Sequence, residues 1–366
     1  MSLLRDKLNE WAYGGCKTDG RAHLYDNVKF FLIIMVVMGH FIDDLTEFKP
    51  HEQSESLNDL LKGIFIFIYS FHMPAFLFIS GLFVKKVDEV MNWKPVKVYV
   101  MLGLLLKLVV GIGQMLWVDE QSNGYFSLLG GDGVFWYLFV LAFYRVITHL
   151  LRHCDRRFLM VFAILMAFMA GYDNETDEWL SLSRAIVFFP FYYAGVCLKP
   201  EQVQSFCKRW YIRIMSVAVT ALWVYFCFWR FDDVRHFRRL FTGKNPYSVV
   251  QLPNTEFWDR AAAMLISSAM IIAVISLVPS VVIPFFTKFG LRTLQVYFWH
   301  RPLLYYIVCT DIFDDLFFIK LPNHWWWAAL LMSVAVTYLL SAEIVGRPIK
   351  LCMRLIDDPN NRSASN

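Results

Sequence analysis

One stretch decides the fold of this chain, and from Tyr25 to Asp44 it reads Tyr-Asp-Asn-Val-Lys-Phe-Phe-Leu-Ile-Ile-Met-Val-Val-Met-Gly-His-Phe-Ile-Asp-Asp. Its charged beginning, Asp26 and Lys29, leads into an apolar run that carries His40 where a membrane helix usually carries leucine. Eleven helical positions at about 100° each return to nearly the same angle, so Lys29 and His40 share one face, about 16 Å apart along the axis. Ionisable groups on one face of an apolar helix indicate a functional face.

The composition of the whole chain is typical of a membrane protein. Of its 366 residues, 57% are hydrophobic and only 18% are charged, and the mean hydropathy is +0.45. A soluble protein of this size is about half apolar and a quarter charged. Apolar runs of roughly twenty residues recur, each long enough to cross about 30 Å of hydrocarbon as a helix. The sequence therefore predicts an all-α, polytopic integral membrane protein.

The apolar runs predict about ten transmembrane helices. They span approximately residues 29–42, 62–84, 98–118, 134–151, 158–171, 180–198, 211–229, 261–285, 291–310 and 325–345. Basic and acidic connections alternate, so the positive-inside rule places both termini in the cytoplasm and the protein in the cell (inner, cytoplasmic) membrane. We expect a cytoplasmic segment over 1–24, a ten-helix membrane domain over 25–346 and a cytoplasmic tail over 347–366.

One connection departs from this alternation, and two further features limit the partners. Residues 230–260 are basic on the predicted outer side, which indicates either an anionic-ligand surface or a re-entrant or interfacial segment.

The net charge of +4 comes from loops that flank the membrane, so no nucleic-acid partner is expected. Seven cysteines are scattered without a CxxC pair, and the sequence predicts neither a disulfide framework nor a metal site.

Two histidines inside the predicted spans are candidates for catalysis, because ionisable side chains at membrane depth are rare and usually line a cavity. His40 could deprotonate a sugar hydroxyl; the alternative is an interfacial histidine satisfied by headgroups and by Asp43 and Asp44. His72 lies near the middle of the second span, where Pro74 can open the helix around a polar site. The alternative is that His72 is a core histidine bonded to a facing carbonyl.

Other side chains at membrane depth are candidates for binding. Arg184 in the sixth span and His300 in the ninth could hold phosphates or a carboxylate, although Arg184 could instead snorkel to the outer face. Trp136 alone is typical of an interfacial aromatic, and Ser80 with Gly81 is typical of a small-residue packing patch. There is no P-loop, GxSxG or HExxH context, which disfavours a soluble hydrolase or a nucleotide-driven pump.

Five segments occur in an order that is known from one family. They are Leu24-Tyr-Asp-Asn-Val-Lys29 with Val36-Val-Met-Gly-His40, Ser70-Phe-His-Met-Pro74 through Ser80-Gly81, Phe135-Trp-Tyr-Leu138, Arg184 with Phe189-Pro-Phe-Tyr-Tyr-Ala-Gly195, and Gly290 through Tyr297-Phe-Trp-His300. On these segments the chain resembles the membrane acyltransferase 3 family from Leu24 to Val345. It looks most like the branch of fucose 4-O-acetylase-like sugar O-acetyltransferases.

The resemblance implies a ten-helix enzyme that moves an acyl group, commonly acetyl, from cytoplasmic acyl-CoA to a hydroxyl of a cell-surface or exported glycan. It implies acyl-CoA as donor substrate and no tightly bound cofactor. The partners it implies are acyl-CoA, the glycan acceptor and the lipid bilayer, and a homo-oligomer is left open. The family's motif of a basic residue, ten positions and a histidine falls on Lys29 and His40, where many relatives have arginine first.

Each candidate residue acquires an expected role from this resemblance. His40 is the expected general base, with His72 also catalytic and with Lys29 and Asp26 at the cytoplasmic end of the site. The residues expected to bind substrate or acyl-CoA are Arg184, His300, Trp136 and Ser80. An alternative from another class is a membrane transporter or flippase whose intramembrane charges form a permeation path.

Overall fold

The chain folds into a bundle of helices. The computed structural model describes residues 23–48, 55–84, 90–117, 133–174, 181–250, 255–309 and 325–356, and no strand occurs among them. The helices are α1 His23–Phe48, α2 Glu55–Tyr69, α3 His72–Leu82, α4 Trp93–Trp117, α5 Trp136–Leu150, α6 Arg156–Met169, α7 Leu182–Cys197, α8 Pro200–Cys207, α9 Trp210–Trp229, α10 Phe231–Val234, α11 Phe237–Phe241, α12 Tyr247–Val250, α13 Glu256–Leu277, α14 Thr293–Cys309, α15 Trp325–Leu340 and α16 Arg347–Ile356. The all-α class is confirmed.

Within the described ranges, five helical segments are long and apolar enough to cross a membrane. They are α1, the α2–α3 pair, α4, α9 and α13, and a sixth is reached if α15 and the bent helix after it form one span. A helix also lies in each of the other predicted spans, but α5, α6, α7, α14 and α15 have only 14 to 17 residues. An integral membrane protein is therefore supported, whereas the count of ten spans stays a prediction.

One end of the bundle, which we call the proximal end, is defined by contacts at the start of α1. The Tyr25 hydroxyl donates to the Pro200 carbonyl at 2.6 Å, and the Asn27 amide donates to the Pro279 carbonyl at 2.7 Å. The Thr287 hydroxyl in turn donates to the Asn27 side-chain oxygen at 2.6 Å. Connections that the loop charges assign to the cytoplasmic side thus meet one another here.

At the opposite, distal end, the described residues 230–250 and 255–260 fold into three short helices, α10 to α12, and the start of α13. Ion pairs to aspartate hold three of its basic side chains, which are Arg230, Arg235 and Arg238. The Arg238 partner is Asp43 of α1, at 3.2 Å. Arg239 and Arg260 donate to backbone carbonyls. Arg238 and Arg260 therefore contribute to the packing of this segment, whereas Arg230 and Arg235 are exposed, so both the anionic-ligand surface and the re-entrant or interfacial segment stay predictions.

The second predicted span is interrupted immediately before His72. Ser70 and Phe71 separate α2 from α3. Pro74 has no N–H to donate to the Ser70 carbonyl four residues earlier, so the break lies where this proline removes a helical hydrogen bond. The Trp223 indole donates to the Ser70 hydroxyl at 3.1 Å and so satisfies a polar group at the break.

Helices α3 and α7 pack at backbone distance. A Cβ atom on Gly81 would lie 2.0 Å from the carbonyl oxygen of Tyr192, and one on Gly195 would lie 2.1 Å from that of Phe78. The small-residue packing patch is thereby confirmed for Gly81. This contact brings together two helices that carry candidate site residues.

The Gly81→Ala variant is expected to lose about 1–3 kcal/mol of unfolding free energy, because its methyl group meets backbone that cannot rotate away. Chemical denaturation of the purified protein in detergent measures the loss. The matched control is Gly103→Ala, whose Cβ would meet the Phe139 ring at 3.1 Å, a side chain that can shift. Equal stability of the Gly81 variant and the parent would contradict the packing argument.

Candidate functional site

The histidine of α1 lies beside a histidine of α14. The ring centres of His40 and His300 are 5.3 Å apart and the rings are tilted by 36°. His40 is partly exposed, while His300 is fully buried. Asp43, one of the alternative partners of His40, pairs instead with Arg238, and the side chain of Asp44 lies outside the described residues. The structure thus joins His40 to a residue 260 positions away in the sequence.

Backbone carbonyls select the tautomer of His300. Its Nδ1 lies 2.8 Å from the Tyr297 carbonyl oxygen and 3.2 Å from that of Val296. Because a carbonyl only accepts hydrogen bonds, Nδ1 carries the proton and Nε2 carries the lone pair. This Nε2 is buried and has no hydrogen-bond partner among the described residues. A buried acceptor without a donor indicates that another group approaches it.

His72 is held in the same way. Its Nδ1 lies 2.9 Å from the Ile68 carbonyl oxygen, so this imidazole also keeps its proton on Nδ1. The bond to a carbonyl agrees with the alternative that His72 is a core histidine, and a catalytic role for it stays a prediction. Its ring meets the Tyr69 ring edge-on, 4.6 Å between centres. The Tyr69 ring in turn reaches Gly39, where a Cβ would lie only 3.1 Å away. His72 also lies within electrostatic range of His40.

Arg184 is buried inside the bundle and does not snorkel. Its guanidinium carbon lies 5.2 Å from the centre of the Trp136 ring, a cation–π geometry that stabilises a cation away from water. Trp136 is itself buried and stacks on Phe188, so it lies in the interior of the bundle beside Arg184, and its role in binding stays a prediction. Arg184 and Arg301 both act electrostatically on His40. Sequence reasoning on isolated residues missed this because it could not pair Arg184 with Trp136.

Lys29 and Asp26 form an ion pair at the proximal end of α1. Lys29 Nζ lies 2.8 Å from an Asp26 carboxylate oxygen, and the two side chains are 23% and 5% exposed. Asp26 and Lys29 are one helical turn apart, and Lys29 lies eleven residues before His40 on the same helix. The expected placement of charge at both ends of one helix face is therefore found.

Two adjoining cavities open beside Lys29. Their volumes are about 350 Å³ and 170 Å³, and both are lined by Lys29, Ser80 and Tyr99. The larger cavity reaches Asp26 and Arg145. The smaller one extends to two tyrosines, Tyr137 and Tyr297. The Lys29 end is thus a polar chamber that narrows toward the interior.

A line of side chains continues from the smaller cavity to the histidines. The hydroxyls of Ser80 and Tyr137 are 3.1 Å apart, and the Tyr137 and Tyr297 ring centres are 5.2 Å apart. The Tyr297 ring lies 5.8 Å from that of His300. Sequence reasoning assigned no role to either tyrosine, although Tyr297 lies one helical turn before His300 and Tyr137 follows Trp136.

The predicted site residues therefore form two connected groups. One group surrounds His40 and contains His72, Trp136, Arg184 and His300. The other surrounds the chamber and contains Asp26, Lys29 and Ser80. In the part of the chain that the structure describes, no three His, Cys, Asp or Glu side chains are placed to hold a metal ion.

Comparison with known proteins assigns the chain to a family. A family model described as an acyltransferase domain matches residues 23–342, which is most of the chain. No match was found among curated proteins or among solved structures. The matched range includes both groups of site residues, from Asp26 to His300. The chain belongs to the acyltransferase 3 family and is a membrane acyltransferase.

Proposed function

We propose that this acyltransferase is an O-acyltransferase of the fucose 4-O-acetylase-like branch, which moves an acetyl group from cytoplasmic acyl-CoA to a hydroxyl of a cell-surface or exported glycan. The observation that carries the proposal is the line of side chains from the Lys29 chamber to His40. A donor and an acceptor that approach from opposite sides of a membrane need such a connection through the bundle. No tightly bound cofactor and no nucleic acid take part.

The chamber at the proximal end suits the acyl-CoA donor. Lys29 and Arg145 line it, and cations of this kind bind phosphate groups. The pantetheine arm of CoA is long, narrow and rich in amides, and it fits a passage lined by the hydroxyls of Ser80 and Tyr137. In this arrangement the thioester comes to lie near Tyr297 and His300.

The reaction itself needs one proton acceptor and one group that stabilises negative charge. His40 removes the proton from the acceptor hydroxyl as its oxygen forms a bond to the thioester carbonyl carbon. Arg184 stabilises the negative charge that develops on the carbonyl oxygen. When the carbon–sulfur bond breaks, His40 returns the proton to the CoA sulfur. The products are the glycan ester and CoA thiol.

His300 positions His40 in this scheme. No hydrogen bond joins the two rings in this structure, but at 5.3 Å between ring centres a rotation of His40 brings one of its nitrogens to hydrogen-bond distance of Nε2 of His300, roughly 3 Å. In the reacting state Nε2 of His300 accepts the N–H of His40, so the other nitrogen of His40 points its lone pair at the acceptor. His300 thus orients the general base His40, as the third group of a catalytic triad does.

The proposal includes a membrane orientation. We place the proximal end in the cytoplasm and the distal end outside, in the cell (inner) membrane, with ten spans and both termini cytoplasmic. Support comes from the basic connections at the proximal end and from the contacts of Tyr25 and Asn27 with other connections of the same end.

Replacing His40 with alanine is expected to reduce acyl transfer by about 100-fold or more, because general-base catalysis is lost. The assay follows release of CoA thiol by protein in nanodiscs, given acetyl-CoA and surface polysaccharide from a strain that lacks this protein. The exposed His153 supplies the matched control, His153→Ala. Full turnover in the His40 variant would remove its catalytic role, and substrate counterflow without CoA release would support a transporter.

The positioning role of His300 predicts a split between kinetic constants. His300→Leu is expected to lower kcat by about 10- to 100-fold while the KM for acetyl-CoA stays unchanged. His300→Gln, whose side-chain amide offers an acceptor near the position of Nε2, is expected to recover part of the lost kcat. If both variants lose activity only in proportion to their loss of thermal stability, His300 is structural.

Lys29 is expected to serve both stability and donor binding. Lys29→Met deprives the buried Asp26 carboxylate of this partner and is expected to cost about 1–3 kcal/mol of unfolding free energy and to raise the KM for acetyl-CoA. Lys29→Arg keeps both properties. Adding Asp26→Asn to Lys29→Met is expected to recover stability but not KM. Recovery of both would assign the pair to folding alone.

A further inference from the structure

Helix α16 presents a basic face that the enzyme site does not use. At 100° per residue, Arg347, Lys350, Leu351 and Arg354 fall within an arc of about 100°, and all four are exposed. Among the described residues, none of the three cations has an ion-pair partner. Leu351, at 60% exposure, lies at one edge of this arc beside Arg347. The outward face is thus basic and apolar at once.

The opposite face of α16 anchors it to the bundle. Ile349 is buried, and Cys352 and Met353 pack against the hydrophobic core. It packs against α4, which also carries Tyr99 of the chamber. Packing of this face against the bundle therefore directs the basic face of α16 outward.

The bend that leads into α16 is also fixed. The axes on either side of it differ by 65°. One side of α14 holds the turn: Gln295 donates to the carbonyls of Leu340 and Ala342 at 2.7 and 2.8 Å, and Trp299 donates to that of Val345 at 3.1 Å. Helix α16 thus leaves α15 at an angle that several hydrogen bonds maintain.

This angle and these charges are those of a helix at a membrane surface. Three exposed cations on one face are costly in hydrocarbon, so α16 is a poor second half of a span. A helix turned by 65° from a spanning helix lies closer to the membrane plane. Lysine and arginine then extend to the headgroups while an apolar neighbour such as Leu351 enters the acyl region.

We propose that the basic face of α16 binds anionic phospholipid headgroups of the leaflet at the proximal end. The ligand class is a phosphate-bearing lipid, because a groove of about 710 Å³ runs along this face and its lining combines three cations with Ile344 and Leu351. The lining also includes the carboxylate of Glu343, which pairs with Arg292 at 3.7 Å. Both of these apolar residues are more than half exposed. The phosphates of a soluble nucleotide would not require exposed apolar side chains beside the cations. Proximity to α14 places this lipid surface at the end of the bundle where the chamber opens.

Titration of the full-length protein in detergent with phosphatidylglycerol or phosphatidylcholine, followed by native mass spectrometry, tests the proposal. The parent protein is expected to bind phosphatidylglycerol in preference to phosphatidylcholine. The triple variant Arg347→Gln, Lys350→Gln and Arg354→Gln is expected to lose about tenfold or more in affinity for phosphatidylglycerol. Leu351→Gln, which changes no charge, is expected to weaken the same binding by a smaller factor.

The matched control removes three exposed basic residues from the same end of the bundle, as Lys208→Gln, Arg209→Gln and Arg213→Gln. An equal loss in this control would show a general attraction to basic protein and overturn the assignment to α16, as would an unchanged triple variant. If CoA displaces phosphatidylglycerol and the triple variant loses CoA binding instead, the face belongs to the donor and the proposal is wrong. Should the triple variant fail to fold, the single Lys350→Gln change gives the same comparison.

Discussion

Hydrocarbon offers no hydrogen bonds, so every ionisable side chain within the membrane must find its partner inside the protein. His72 and His300 meet this constraint with carbonyls of the preceding helical turn, and Arg184 meets it with the face of Trp136. Nε2 of His300 and the Tyr297 hydroxyl are two of the buried polar atoms that have no hydrogen-bond partner among the described residues. The candidate site therefore combines satisfied ionisable groups with a histidine acceptor that has no donor in this structure.

Helix α14 connects the site to the rest of the molecule. One of its faces carries Tyr297 and His300, which continue the line from the chamber toward His40. Another carries Gln295 and Trp299, which hold the bend before α16. Because one helix makes both sets of contacts, a change at the proposed lipid surface and a change at the site act on the same rigid element. Physical coupling between the two would travel through a single helix.

Helix α1 connects the two groups of candidate site residues, one toward each end of the bundle. Its proximal end holds the Lys29–Asp26 ion pair and the chamber, and its distal end holds His40 near the folded segment that Arg238 ties to Asp43. The close packing of α3 on α7 at Gly81 and Gly195 then brings the remaining candidate helices against it. Close backbone contact of this kind replaces the hydrophobic driving force that water supplies in soluble proteins.

Much of the fold could be predicted from the sequence because it depends on local composition. Apolar runs of membrane length predicted the all-α class, and the loop charges grouped the connections into two sides that the contacts of Tyr25 and Arg238 respect. The spacing of Lys29 and His40 on one helix followed from the helical repeat alone. The break before His72 agrees with the prediction from Pro74, because this proline removes the hydrogen bond to the Ser70 carbonyl four residues earlier.

The sequence by itself thus predicted the long apolar helices, the face of α1 that carries ionisable groups and the ionisable residues that lie within apolar helices. Only the tertiary structure decided which of them meet. The pairing of His40 with His300, of Arg184 with Trp136 and of Tyr137 with Tyr297 joins residues 48 to 260 positions apart. Such contacts depend on how the helices pack and not on periodicity within any one of them, so no local pattern specifies them.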